Sequence, residues 1–166
     1  MWHEVRTNKE NIKVALEWTA ELNTGISVID QQHMRLIDYI NELEHARDGG
    51  DRAKVGSVLN ELVDYTLSHF AFEESLLEEA GYRFIGPHKK VHSLFVRRID
   101  EYKQRFEAGE DVAEEIHQLL SSWIVNHIKR DDADYVQAVQ PEIKAVAKDE
   151  SSGGWLSRSM KRFFGG

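Results

Sequence analysis

Apolar residues recur along this chain at steps of three and four in four separate stretches, the spacing of one face of a helix. Ile26, Ile29, Leu36, Ile37, Ile40 and Leu43 make up the first, which closes at Asp48-Gly49-Gly50-Asp51. Val55, Val58, Leu59, Leu62, Tyr65, Thr66, Leu76 and Leu77 make up the second, which stops near Gly81. A third helix is expected to open at Gly86-Pro87, because the N–H that proline lacks has no partner in a first turn. Its stripe is Val91, Phe95, Ile99, Tyr102 and Phe106, and Gly109 interrupts it. Val112, Ile116, Leu119, Leu120 and Trp123 form the fourth, with Pro141 beyond. Breaks this short make neighbouring helices run antiparallel, so an all-α, up-down-up-down four-helix bundle is predicted. It takes residues 1–140 and leaves 141–166 as a linker and tail. No internal repeat is evident.

Composition narrows the setting. A chain of 166 residues suffices for one domain with a real core. Charged residues at 30% and only two prolines suit a helical protein. A net charge of −8 argues against nucleic acid, whose phosphates need a basic surface. With no cysteine, disulfides and thiolate metal ligation are excluded. The amino terminus mixes charge throughout, and nothing approaches the ~18 to 20 apolar residues of a membrane span. A cytoplasmic monomer is expected.

Polar residues interrupt every stripe. His33, His69, Glu73, His88, His92 and His127 all fall in phase with the apolar positions, at least one per helix. Burying so many imidazoles and a carboxylate without partners would cost roughly 2 kcal/mol or more each, comparable in sum to the stability of a whole domain. A shared metal centre removes that cost. His69 and Glu73 are four apart, as are His88 and His92, so each pair projects from one side of a helix on successive turns. Imidazole with carboxylate suits iron, zinc, copper or nickel. Five histidines exceed what one ion with an open position uses, and two ions bridged by carboxylate are the simpler fit. At ~100° per residue, His45 and His117 project away from the apolar faces, and His3 lies in the polar amino terminus.

GISVIDQQH (25–33), HFAFEE (69–74), GPHKKVH (86–92) and WIVNHIKRDDADY (123–135) resemble the motifs of the hemerythrin family, specifically its bacterial members. The resemblance spans about residues 15 to 138, with four motifs in order. It implies a non-haem di-iron centre, two iron ions per chain, that binds O2 reversibly. His88, His92 and His127 would hold one iron. His33 and His69 would hold the other and leave it an open position, with Glu73 and a second carboxylate bridging the pair. Leu77 and Arg83 stand where methionine and proline are frequent in the family, and neither is a ligand position.

The second carboxylate is contested between neighbours. The family pattern selects Asp132, five positions past His127 and so ~140° away around a regular helix, whereas Asp131 lies only ~40° away. Tyr135 and Val139 are out of phase with the fourth stripe in the same sense as Asp132. One extra residue between 127 and 132 would return all three to the core together, and such a π-bulge often marks a functional site. Asp132 is therefore the expected bridge.

ELEH (42–45) and EEIH (114–117) fit the glutamate-two residues-histidine string of ferritin-like oxidases. Helical phase turns Glu42 and Glu114 to the solvent side, so that fit is superficial. Reversible O2 binding for storage, delivery or sensing is the expected function, without enzymatic turnover. The alternative is redox catalysis at the same site: peroxide or nitric oxide reduction, or iron oxidation. In the tail, Ser151-Ser152-Gly153-Gly154 reads as a linker. WLSRSMKRFF (155–164) is basic and amphipathic, with Trp155, Leu156, Met160, Phe163 and Phe164 on one side and Arg158, Lys161 and Arg162 on the other. Such a helix suits an anionic membrane surface, a partner groove, or its own bundle.

Overall fold

The computed structural model describes residues 15–148 and 153–165. His3, and Ser151 and Ser152 of the expected linker, lie outside the described residues. Four helices form the bundle: α1 (Ser27–Asp48), α2 (Arg52–Glu79), α3 (Ile85–Glu107) and α4 (Ala113–His127). The fourth continues through a π-helical turn (Ile128–Asp132) into α5 (Ala133–Ala147), and a short α6 (Trp155–Phe164) follows. Among the described residues there is no strand, and no helix is long and apolar enough to cross a membrane.

Local chemistry sets the ends of these helices. The Asp51 carboxylate caps α2 by accepting the Lys54 backbone N–H at 3.0 Å. Pro87 sits in the first turn of α3, where the expected opening at Gly86-Pro87 moves only to Ile85. The turn into α1 is more constrained. Asp30 Oδ1 accepts from both the backbone N–H and the hydroxyl of Thr24 at 2.8 Å, and Oδ2 accepts from the Gly25 N–H at 3.2 Å. Gly25 itself is left-handed at φ +76°, and a Cβ there would come within 2.8 Å of Gln140 Nε2. Glycine answers both demands. This turn connects α1 to α5, because the same Gln140 nitrogen donates to the Thr24 carbonyl at 2.9 Å.

Two apolar clusters fill the interior. Leu36, Ile40, Leu43, Leu59, Leu62, Phe95, Ile116 and Ile124 belong to one. Ile29, Phe72, Leu76, Leu77, Tyr82, Tyr135 and Ile143 belong to the other. Along every bundle helix the in-phase histidines and carboxylates fall between members of the two clusters: His33 between Ile29 and Leu36, His69 and Glu73 between Leu62 and Leu76. A polar layer is thus clamped between two dry ones. Each fully buried Leu, Ile or Phe of those layers contributes about 1.5–3 kcal/mol, which offsets the cost of ordering the polar layer between them.

The chain departs from the expected end of the fourth helix. Helix persists past Pro141 to Ala147, so the boundary placed after residue 140 falls inside α5. Proline removes a backbone donor and crowds the preceding turn. The structure absorbs this by a kink at Val139 (φ −139°, ψ 24°), and beyond it Ile143 is fully buried. The tail helix then returns to the bundle. Trp155, Leu156, Met160, Phe163 and Phe164 pack on the second cluster, while Arg158, Lys161 and Arg162 are exposed. Phe72 meets three of their rings, with centroids 5.6 Å from Trp155, 6.4 Å from Phe163 and 5.9 Å from Phe164. The apolar face of the tail is seated on the chain's own α2.

Candidate metal centre

The fold brings all seven expected residues together. His33 comes from α1, His69 and Glu73 from α2, His88 and His92 from α3, His127 from α4 and Asp132 from the π-helical turn, and all are buried. Glu73 Oε1 lies 2.7 Å from His88 Nε2 and 3.3 Å from His92 Nε2. Its other oxygen, Oε2, lies 3.7 Å from His69 Nε2 and 4.0 Å from His33 Nε2. Asp132 is divided in the same way. Its Oδ1 is 3.1 Å from His127 Nε2 and 3.7 Å from His88 Nε2, whereas Oδ2 is 3.2 Å from His33 Nε2. Two groups of imidazoles therefore face each other, three on one side and two on the other. Each carboxylate gives one oxygen to each group.

The π-helical turn makes this possible. It supplies the extra residue that phase required, so that Asp132 (0% exposed) and Tyr135 are fully buried and Val139 packs on the second cluster. Asp131, 37% exposed, is left at the rim.

A further set of side chains surrounds the seven. Gln32 Oε1 is 2.7 Å from His69 Nδ1, Glu74 Oε1 is 2.8 Å from His92 Nδ1, and Asp131 Oδ2 is 2.9 Å from His127 Nδ1. The Tyr135 hydroxyl donates to Glu73 Oε2 at 3.1 Å. Acceptors at Nδ1 place the proton there and leave the lone pair of Nε2 toward the centre, the arrangement a metal-binding imidazole needs. Sequence reasoning did not assign these four roles. Three of them carry a shared signal: Gln32, Glu74 and Asp131 each adjoin an expected ligand in sequence, and each holds the Nδ1 of an expected histidine ligand.

Burial and proximity pull the ionisable groups apart. Burial pushes the His69 imidazole down to about 3, against the opposing pull of Glu73. Burial also disfavours the imidazolium of His127, but Asp132 and Asp131 outweigh it and raise that group to about 10. Glu73 is held well below the carboxylate range because hydrogen bonds from His88 and His92 overcome its burial. Asp132 falls to about 2, His127 outweighing both burial and the repulsion of Glu73. Both carboxylates are anions at neutral pH.

The donor set fits a pair of borderline metal ions. Nε2 of His33, Nε2 of His69 and both oxygens of Asp132 are buried without a hydrogen-bond partner among the described residues. Such orphaned atoms cost free energy that ligation removes. Ligand atoms of Glu73, His88, His92 and His127 lie within 4.8 Å of one another, as do those of His33, His69 and Glu73, so Glu73 belongs to both groups. His45 and His117 do not join them. His45 is exposed, and His117, tucked in more than its phase suggested, lies 3.8 Å from Glu44. Glu42 and Glu114 are exposed, so the ferritin-like string has no buried counterpart.

A helical bundle with a buried layer of histidines and carboxylates defines a class of non-haem metal proteins. Residues 24–139 match the Hemerythrin HHE cation binding domain. A bacteriohemerythrin of Pseudomonas aeruginosa is 59% identical over 150 residues, 90% of this chain and 98% of that protein. One from Stenotrophomonas maltophilia is 52% identical over the same shares. A crystal structure of wild-type hemerythrin superposes with a TM-score of 0.72 at 30% identity, covering 76% of this chain and 98% of that one. The chain belongs to the hemerythrin family, whose members bind non-haem iron.

Proposed function

We propose that this protein binds two non-haem irons per chain and uses them to bind O2 reversibly, without chemical turnover. His88, His92 and His127 would hold one iron and His33 and His69 the other, with Glu73 and Asp132 serving both. One observation carries the reading: each carboxylate presents one oxygen to the three-histidine group and one to the two-histidine group. A single ion would leave one of those groups unserved. Iron held there would supply the redox chemistry for reversible O2 binding. The residues do the rest. The two-histidine side offers one ligand fewer, which leaves room for an exogenous ligand. The apolar clusters above and below exclude water, and the outer acceptors Gln32, Glu74 and Asp131 fix the histidine rings.

The hemerythrin names of the relatives support O2 as the ligand. The test is iron analysis together with optical spectra of the reduced protein, after O2 exposure and after evacuation. Two irons per chain and a near-ultraviolet and visible band that rises with O2 and fades on evacuation are expected. One iron at full occupancy, or steady-state consumption of peroxide or nitric oxide, would overturn the reading.

A further inference from the structure

Gln32 is buried between the metal layer and the tail helix. Its side-chain oxygen is 2.7 Å from His69 Nδ1, and its nitrogen donates to Met160 Sδ of α6 at 3.8 Å. A primary amide has two nearly isosteric ends, so something must decide which end faces the histidine. A thioether decides it, because sulfur accepts and cannot donate. With the NH2 turned to Met160, the carbonyl faces His69, the ring carries its proton on Nδ1, and Nε2 keeps its lone pair for the centre. Without that anchor the amide can turn over and offer its NH2 to Nδ1. The ring proton then moves to Nε2, where Glu73 Oε2 waits at 3.7 Å. In that tautomer Nε2 cannot ligate a metal.

We propose that Met160 is a positioning residue for the metal centre: seated by α6, it orients the Gln32 amide and so selects the metal-binding tautomer of His69. The inference rests on the di-iron reading above. It gives the tail a role that its sequence alone did not suggest. Trp155, Phe163 and Phe164 hold α6 on Phe72, which adjoins Glu73 in sequence, and Phe164 also meets Tyr65 with centroids 5.3 Å apart. Docking of this apolar face is what brings Met160 to Gln32. Tail docking and iron binding at the two-histidine side are then coupled, and coupling is reciprocal: iron strengthens docking by the same factor by which docking strengthens iron binding.

The test is 15N NMR of the His69 ring in the metal-free, full-length protein at neutral pH, beside iron titrations. The wild type is expected to carry the proton on Nδ1 alone. Met160→Leu keeps the volume and the apolar packing, a swap that cores tolerate, but removes the acceptor. It should give a mixed tautomer, and one of the two irons should bind about 10-fold more weakly, in the range seen when outer partners of metal ligands are lost. The double variant Gln32→Glu with Met160→Leu should restore the single Nδ1–H tautomer, because a carboxylate has no donor end. A wild-type proton on Nε2, or an unchanged tautomer and unchanged affinity in Met160→Leu, would overturn the proposal. Failure of the di-iron reading is a separate result: a chain that takes up one iron or none while its tautomer follows the pattern above.

Discussion

Asp131 and Asp132, neighbours in sequence, meet the two nitrogens of one ring: Asp131 Oδ2 lies 2.9 Å from His127 Nδ1, and Asp132 Oδ1 lies 3.1 Å from Nε2. Two adjacent residues of a regular helix diverge by ~100° and could not both reach back to the same histidine. The π-helical turn Ile128–Asp132 lets them do so. It divides two identical side chains into an outer acceptor that orients the ring and an inner carboxylate that faces both histidine groups.

Their substitutions should therefore differ in kind. Asp132→Ala removes an oxygen from each side of the centre and should lose at least one iron per chain. Asp131→Ala should keep two irons but hold them about 10-fold less tightly, the usual cost of removing an outer partner of a ligating histidine. Iron stoichiometry and chelator competition separate the two outcomes. Equal loss in both variants would mean that the turn does not divide them.

Gly25 gives a test of the fold apart from the metal. Gly25→Ala puts a methyl group 2.8 Å from Gln140 Nε2 at a backbone φ of +76°. The left-handed conformation alone costs a non-glycine residue roughly 1–2 kcal/mol. The clash adds to it by loosening the Gln140 bond to Thr24 that connects α1 to α5. Denaturant unfolding should place the variant at least ~1 kcal/mol below the wild type. Adding Gln140→Ala should not restore stability, because the backbone strain remains.

Most of the site was legible because its chemistry is written in helical phase. Five histidines and a glutamate sit where leucines belong, and an i, i+4 interval needs no tertiary knowledge to be read. Asp132 was pointed to by the family resemblance against the helical geometry, and Tyr135 and Val139, whose shared phase slip required an inserted residue, decided for it. Gln32 and Glu74 escaped because each reaches a histidine on another helix, and Asp131 because its i, i+4 interval from His127 was read only as a rival claim to the inner carboxylate. The kink at Val139 was also hidden. Pro141 reads locally as a stop, and only the burial of Ile143 in the second cluster explains why the helix continues. For the tail, amphipathicity marked an apolar face but left its covering open, and the surface it meets, Phe72 and its neighbours, is a tertiary fact.

Acid should destabilise the metal-free protein through His69. Its folded-state value is about 3 against an ordinary 6.5, so between those limits the unfolded chain binds a proton that the folded chain refuses. His69 alone lowers stability as pH falls through that window, by about 2 kcal/mol from pH 7 to pH 5. His127, raised to about 10, stays protonated in the folded chain while the unfolded chain takes up that proton only near 6.5, so it stabilises the fold as pH falls from 7 and offsets part of the His69 loss. Urea unfolding of the metal-free chain at pH 7 and pH 5 measures the fall. His69→Gln should abolish most of it, and an equal fall in that variant would assign the acid sensitivity elsewhere.

The Tyr135 hydroxyl touches the carboxylate of Glu73 on the two-histidine side, donating to Oε2 at 3.1 Å. Burial and the nearby carboxylates Asp132 and Glu73 hold this phenol well above its ordinary range, so it stays a donor at every working pH. Tyr135→Phe removes the oxygen and leaves the ring in its place against Tyr82 and His88, with centroids 6.2 Å and 5.5 Å away. The metal-free fold should lose about 1–3 kcal/mol, the cost of leaving a buried charged acceptor one donor short. With iron bound, that oxygen regains a partner, so the difference in stability between variant and wild type should shrink. Thermal unfolding of both proteins, with and without iron, reads this directly. A gap that stays the same on loading would mean that Glu73 Oε2 does not serve the metal.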